Sequence, residues 1–333
     1  MEPVRFGRTG LHVSPLCLGT MTFGTQADEA ESHRILDTAL ESGISFIDTA
    51  DSYPLGQEGE LAGLTEEVIG RWLGPHRNDV ILASKFFFPI GSNPWDRGGS
   101  RKHIMDAIEG SLRRLQTDYL DLFQIHFFDS HTPIDETLTA LDDLVRSGKV
   151  RYVGCSNFAA WQISRAVGRS EVLGVSRFES VQPRYNLLFR NIERDILPAA
   201  DYDQLAVIPY NPLAGGLLTD KHRTAGPASA PPAGGRFDEA TAGDMYRKRY
   251  WKDDNLQIVA EAGMIADEVG VSLATLAIAW VMANPTVTAP IIGASRTAQL
   301  ADSISAVGLT LPSEVMERLD VLTRHYRTVD LDR

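Results

Sequence analysis

Short apolar runs alternate with longer amphipathic stretches along most of the chain. VRFGRTGLHV, residues 4–13, alternates polar and apolar positions around a Gly-containing turn and predicts a small hairpin. LCLGT (16–20) is an apolar run closed by Gly, the signature of a short buried strand. A helix is predicted next: Asp28 and Glu31 are spaced for a capping box, Ile35, Leu36, Ala39 and Leu40 form one apolar stripe, and Gly43 supplies the C-cap. The alternation continues with SFIDT (45–49) and a helix through EEVIGRWLG, then VILASKF (80–86) and a helix from Ser100 with Ile104, Ile108, Leu112 and Leu115 on one face. DLFQIH (121–126) precedes a helix opened by Thr132-Pro133 and closed by Gly148. VRYVGCSN, ESVQPRYN, LAVIPYNPL and TAPIIGAS follow, each succeeded by helical sequence.

That makes eight short apolar strand candidates. Their continuous apolar character and long helical spacers predict parallel strands covered on both faces, and eight such units in one domain predict an α/β TIM barrel, (β/α)8, spanning residues 1–333. An open doubly wound sheet is the alternative, but no G-x-G-x-x-G follows the first strand. The hairpin precedes the barrel, and helical sequence after 311 and part of 255–284 are extra C-terminal helices added to the ring. One stretch breaks the rhythm. Residues 212–252, containing GPASAPPAGG, form a long segment after the seventh strand, read as a lid.

Composition narrows the function. The formal charge of −12 argues against nucleic acid or membrane as a broad partner, since both favour excess Lys and Arg. Cys17 and Cys155 sit in apolar stretches without ligand spacing and read as reduced buried thiols of a cytoplasmic protein, with no disulfide between them. The N-terminal stretch has no continuous apolar segment, and no window reaches the roughly 18 apolar residues of a membrane span.

In such a barrel, chemistry sits at the carboxyl ends of the strands. Strand two ends in Asp48 with Tyr53 in the loop beyond, strand three ends in Lys85, and strand four in His126. The combination predicts a proton-donating tyrosine: a nearby ammonium lowers a phenol pKa, Asp48 keeps Lys85 charged and in place, and neutral His126 orients a carbonyl oxygen. No metal site is expected, because His126 has no second His or Cys at ligand spacing. Asp51 reads as an Asx-turn residue aiming the loop, and Phe86, Phe87 and Phe88 as a mixture of core and substrate-pocket side chains.

Asp48, Tyr53, Lys85 and His126, on successive strand ends, resemble the catalytic tetrad of the aldo-keto reductases. GRTGLHVSPLCLGTMTFG, FIDTADSY, SLRRLQTDYLDLFQIH, GKVRYVGCSNF, PYNPLAGGLL and PIIGASRTAQL extend the resemblance over nearly the whole chain, toward the branch of potassium-channel β subunits and bacterial oxidoreductases. It implies a barrel plugged by the hairpin and NADPH (NADP+) bound extended, with NADH the lesser alternative. The 4-pro-R hydride would pass to an aldehyde or ketone while Tyr53 protonates the oxygen. Gly19, Thr20, Met21 and Asp48 match the ribose edge; Ser156, Asn157 and Gln182 match the carboxamide contacts; Tyr210 matches the ring that stacks on nicotinamide. Pro212, Leu213, Gly215, Leu217 and Lys221 match the pyrophosphate loop. Gly293 matches a further cofactor contact, Ser295, Arg296 and Gln299 match the adenosine 2′-phosphate pocket at a helix start, and Asp302 falls at the adenine contact, where relatives often carry Asn. Many relatives have Trp two residues after the His; here Phe128 stands there. The partner implied is a small-molecule carbonyl substrate, with a homo-oligomer left open. The alternatives to that leading reading are an NAD(P)-dependent sugar or alcohol dehydrogenase, or a regulatory NADPH-binding protein like the channel β subunits.

Overall fold

The computed structural model describes residues 1–54, 61–226, 230–231, 235–238 and 243–327. The hairpin forms as β1 (Val4–Arg5) and β2 (His12–Val13), paired antiparallel. The eight apolar runs become β3 (Cys17–Gly19), β4 (Phe46–Asp48), β5 (Ile81–Phe86), β6 (Leu120–Ile125), β7 (Val150–Ser156), β8 (Phe178–Gln182), β9 (Ala206–Val207) and β10 (Ile291–Gly293). They are all parallel, in the order β10-β3-β4-β5-β6-β7-β8-β9. Beyond the short β9, the Ile291 amide donates to the Pro209 carbonyl at 2.8 Å and Thr288 to Val207 at 2.8 Å. Those bonds join the two edges, so the sheet curls into a (β/α)8 barrel.

The helices are α1 (Glu29–Glu41), α2 (Leu64–Leu73), α3 (Arg101–Leu115), α4 (Ile134–Arg146), α5 (Ala160–Leu173), α6 (Ile196–Tyr202), α7 (Gly243–Tyr250), α8 (Asp253–Val269), α9 (Leu273–Met282), α10 (Leu300–Ser305) and α11 (Ser313–Thr323). Local chemistry sets their ends. Ser100 caps α3 by accepting from the His103 amide, and Gly43 leaves α1 at φ +86°, a conformation costly for a residue with a Cβ. The capping box of α1 is half formed. Asp28 accepts from the Glu31 amide at 2.8 Å, but the Glu31 carboxylate turns away to accept from the Thr297 amide and hydroxyl at 2.7 and 2.8 Å. A tertiary partner has outcompeted the local one.

The hairpin closes the amino-terminal end of the barrel. Phe6 is fully buried edge-on to Phe46, 5.9 Å between ring centres, in a cluster with Cys17, Ala83, Leu122 and Ala206. Those residues are the inward positions of their strands. Side chains alternate faces along a strand, so two residues further on the inward positions are Gly19, Asp48, Lys85 and Gln124. An apolar floor thereby places polar groups at the opposite, carboxyl-terminal mouth. The long segment after β9 is built of tight turns at Ala214–Gly216 and Asp220–His222, followed by α7. Phe237 and His222 are buried there, with Trp251 packed against both. Most of GPASAPPAGG lies outside the described residues. Cys17 and Cys155 are separate buried thiols, and no single described helix is long and apolar enough to cross a membrane.

Burial has a consequence for acid stability. His103 and His222 are enclosed, and loss of hydration lowers both to about 4. Unfolded histidines take a proton near pH 6.5, so between about 6.5 and 4 the unfolded chain binds more protons and stability falls as pH falls. We expect the thermal unfolding midpoint to drop by roughly 5 °C or more from pH 7 to pH 5, measured by circular dichroism. A midpoint that is flat or rises over that interval would contradict the sign.

Candidate active site

Lys85 is held at the mouth by a dry interior and a set of oxygens. It is fully buried, and its Nζ donates to Asp48 Oδ2 at 2.5 Å, to the Thr49 carbonyl at 2.7 Å and to the Tyr53 hydroxyl at 3.3 Å. Burial alone would lower the pKa of the ammonium, but Asp48 and Tyr53 together outweigh it and the net shift is upward. Lys85 is therefore a fixed cation. The other oxygen of Asp48 accepts from Gln182 Nε2 at 2.9 Å and Gln124 Nε2 at 3.2 Å, which fixes the carboxylate plane.

Tyr53 corrects one expectation. Lys85 does pull its phenol down, but burial is the larger effect and Asp48 adds to it, so the pKa is raised above the usual value. The ammonium limits a rise that burial would otherwise make larger. His126 behaves as expected: burial, with Lys85 adding to it, pushes the imidazole well below its ordinary range and keeps it neutral. Its ring stands edge-on to Tyr53 at 6.0 Å, and its Nδ1 has no partner among the described residues. A phenol, an ammonium and a neutral imidazole thus converge on one mouth.

The remaining residues divide into three groups. Around the tetrad, the Thr20 amide and hydroxyl both donate to the Asp48 carbonyl, at 3.1 and 3.0 Å, bringing Gly19, Thr20 and Met21 beside it. Ser156 donates to the Gln182 carbonyl at 2.8 Å; Asn157, at φ +57°, donates to Ser156 Oγ at 2.9 Å and accepts from the Tyr210 hydroxyl at 2.7 Å. Gln182 spends its amide on Asp48 and is a support of the tetrad. Along the lid, Pro212 and Leu217 are buried, Leu213 and Gly215 are partly exposed, and Lys221 is exposed. At the far end, Gly293, Arg296 and Gln299 are exposed and Ser295 partly so. The helix start there differs from expectation. Gln299 Oε1 accepts from the Ser295 and Arg296 amides, and Glu31 takes that of Thr297, so these N–H groups are already paired. Asp302 accepts from the Ser272 hydroxyl at 2.9 Å, tying α10 to the start of α9.

An aromatic wall flanks the tetrad. Phe88 meets His126 edge-on at 4.9 Å and packs on Phe87 and Phe127 at 5.7 and 5.5 Å, whereas Phe86 is core, tilted against Phe123 at 4.8 Å. Phe128 faces Phe158 and Trp161, so Phe127, 39% exposed, is the aromatic of that pair at the mouth. Asp129 binds the amides of Gly99 and His131 and the Thr132 hydroxyl, joining the two loops that carry the wall. Asp51 departs furthest from its reading. It is fully buried, and among the described residues neither carboxylate oxygen finds a well-directed donor, the amide two residues on included, so it forms no Asx-turn. Gln124, which holds Asp48, is not among the site residues expected from the sequence. Its signal was an amide in the middle of the DLFQIH strand, which requires a buried partner.

An α/β barrel with a buried Lys–Asp pair beside a tyrosine and a neutral histidine at its carboxyl-terminal mouth defines a class of oxidoreductase. Residues 15–324 match the Aldo/keto reductase family, and the chain belongs to that family. It is 43% identical to the uncharacterized oxidoreductase YrpG of Bacillus subtilis, over 96% of this chain and 95% of that one. It is 37% identical to a probable voltage-gated potassium channel subunit beta of Arabidopsis thaliana, over 92% and 91%. Versiconal hemiacetal acetate reductase of Aspergillus parasiticus is 31% identical, over 96% of each chain. The chain is an oxidoreductase enzyme with a reductase's fold and family.

Proposed function

We propose that this protein is a cytoplasmic, NADPH-dependent reductase of small aldehydes or ketones, with Tyr53 as proton donor. The observation that carries the reading is the Lys85 ammonium, fixed between Asp48 and Tyr53 with neutral His126 facing the phenol. Neutral His126 donates a hydrogen bond to the carbonyl oxygen and orients it. Tyr53 then gives its proton to that oxygen as negative charge develops, and Lys85 stabilises the phenolate left behind. Asp48 holds the ammonium in place throughout. When bound, the nicotinamide supplies the hydride to the carbonyl carbon.

The residues present fit that cofactor. Asn157 and Ser156 place an amide and a hydroxyl beside the Tyr210 ring, whose hydroxyl donates to Asn157 Oδ1; both groups carry internal bonds, to each other and to the His126 and Gln182 carbonyls, that a carboxamide would exchange for its own. Gly216 and Gly293 leave open space where a Cβ would stand, letting a ligand approach the backbone. Lys221 and Arg296 provide exposed cations for phosphate. Because the amides around Ser295 are internally paired, selection of the 2′-phosphate rests on Arg296.

The test follows NADPH and NADH oxidation with aryl aldehydes, dicarbonyls and aldoses. Arg296→Glu should raise KM for NADPH about 10- to 100-fold and leave that for NADH nearly unchanged. Equal effects on both cofactors would remove the 2′-phosphate role. The Arabidopsis relative's name motivates a second reading, a regulatory NADPH-binding subunit; tight NADPH binding without turnover of any carbonyl would favour it.

A further inference from the structure

Behind the tetrad lies a second pair of buried acids. Asp51, two residues before Tyr53, is fully enclosed, and its amide donates to the Lys85 carbonyl at 3.0 Å. Glu66 of α2 is equally enclosed but well provided: Ser84 Oγ donates to one oxygen at 2.5 Å and Arg114 Nε to the other at 2.8 Å. Ser84 immediately precedes Lys85. No described group makes a well-directed hydrogen bond to either oxygen of Asp51. The groups whose charge reaches it are the Glu66 carboxylate from α2, the Arg114 guanidinium from α3 and the Lys85 ammonium from β5. Both cations are already paired, Arg114 with Glu66 and Lys85 with Asp48. An ionised Asp51 would be an anion in a dry wall with no well-directed donor among the described residues.

We propose that Asp51 serves the reaction as a neutral, protonated positioning residue behind Lys85, leaving the ammonium directed at Asp48 and Tyr53. The proposal rests on the reductase reading of the site. Burial, then the Glu66 carboxylate, pushes the Asp51 carboxyl well above the usual carboxylate range, against weaker pulls from Arg114, Lys85 and the Ser52 amide. Were the proton lost, the new anion would draw on the charge of Lys85, whose field reaches it, in competition with Asp48 and Tyr53. The phenol would become a weaker acid, and carbonyl reduction would slow. Ionisation of Asp51 therefore contributes to the alkaline fall of kcat.

Two readouts test this. Infrared spectra of the wild-type protein near pH 7 should contain a band from a protonated carboxylic acid, absent from Asp51→Asn; this arm needs no turnover. In steady-state kinetics against pH, Asp51→Asn should move the alkaline limb of kcat upward, because an amide cannot ionise. Glu66→Gln should move it downward by about one pH unit or more, because the like charge is gone and Arg114 is freed to favour the Asp51 anion. The double variant should return the limb to the position of Asp51→Asn. A merely structural role would shift neither limb, or both in one direction, and either result overturns the proposal. So does a wild-type spectrum without the band, whatever the activity, and this single measurement stands even where a variant does not fold. A band accompanied by no turnover of any carbonyl would instead remove the reductase reading and, with it, the part of Asp51 in the reaction.

Discussion

Tyr53→Phe is expected to lower kcat by about 10²- to 10⁴-fold, the usual contribution of a positioned general acid, while NADPH binding changes little. The substitution keeps the ring that lies 4.8 Å from the Lys85 ammonium and 6.0 Å from the imidazole of His126. It removes only the hydroxyl, 3.3 Å from Lys85 Nζ. A fall in kcat with an unaltered NADPH dissociation constant, followed by fluorescence titration, isolates the proton transfer from cofactor binding. Unchanged turnover would mean that another group protonates the product, and the mechanism would be wrong. Because burial raises the phenol pKa despite Lys85, Tyr53 itself remains protonated across the neutral range.

Lys85→Met should be the most damaging single change to the fold as well as to the chemistry. It leaves the Asp48 carboxylate buried with two amide donors, Gln124 and Gln182, and no counter-charge. Breaking a buried pair by removing one partner costs about 3–5 kcal/mol, because an uncompensated charge remains in a low dielectric. Urea unfolding should show that loss, together with a collapse of turnover. Adding Asp48→Asn should recover much of the stability, since both charges are then gone, but none of the activity. If Lys85→Met alone unfolds at the wild-type urea concentration, the pair is not the buried, tightly coupled unit described here.

Much of the architecture was legible in the chain. Eight apolar runs, each followed by an amphipathic stretch, admit few arrangements other than parallel strands under a layer of helices. All eight runs are strands of one curled sheet, and the hairpin is the plug beneath them. The convergence of Asp48, Tyr53, Lys85 and His126 on one mouth was legible for the same reason. Asp48 and Lys85 stand at or beside the ends of apolar strands, where an inward side chain must face the mouth. Side-chain partners, set by tertiary contacts, were not legible in the same way. Glu31 was assigned to its own helix cap and instead binds Thr297, 266 residues away in sequence. The helix start at Ser295 was assigned to an anion, yet its amides are paired within the protein. The sequence places Asp51 in an Asx-turn bonded to its own backbone, whereas it is a fully buried acid without such a bond among the described residues.

The sequence by itself determined the alternation of elements, the inward parity of each strand and hence which polar residues reach the barrel mouth, because period-two and period-3.6 patterns are properties of a local stretch. Only the tertiary structure decided how those residues are charged. Protonation depends on burial and on neighbours distant in sequence: His126 is neutral because the closed barrel dehydrates it, Lys85 is cationic because Asp48 arrives from another strand, and Asp51 is pressed toward its neutral form by burial first and then by the Glu66 carboxylate.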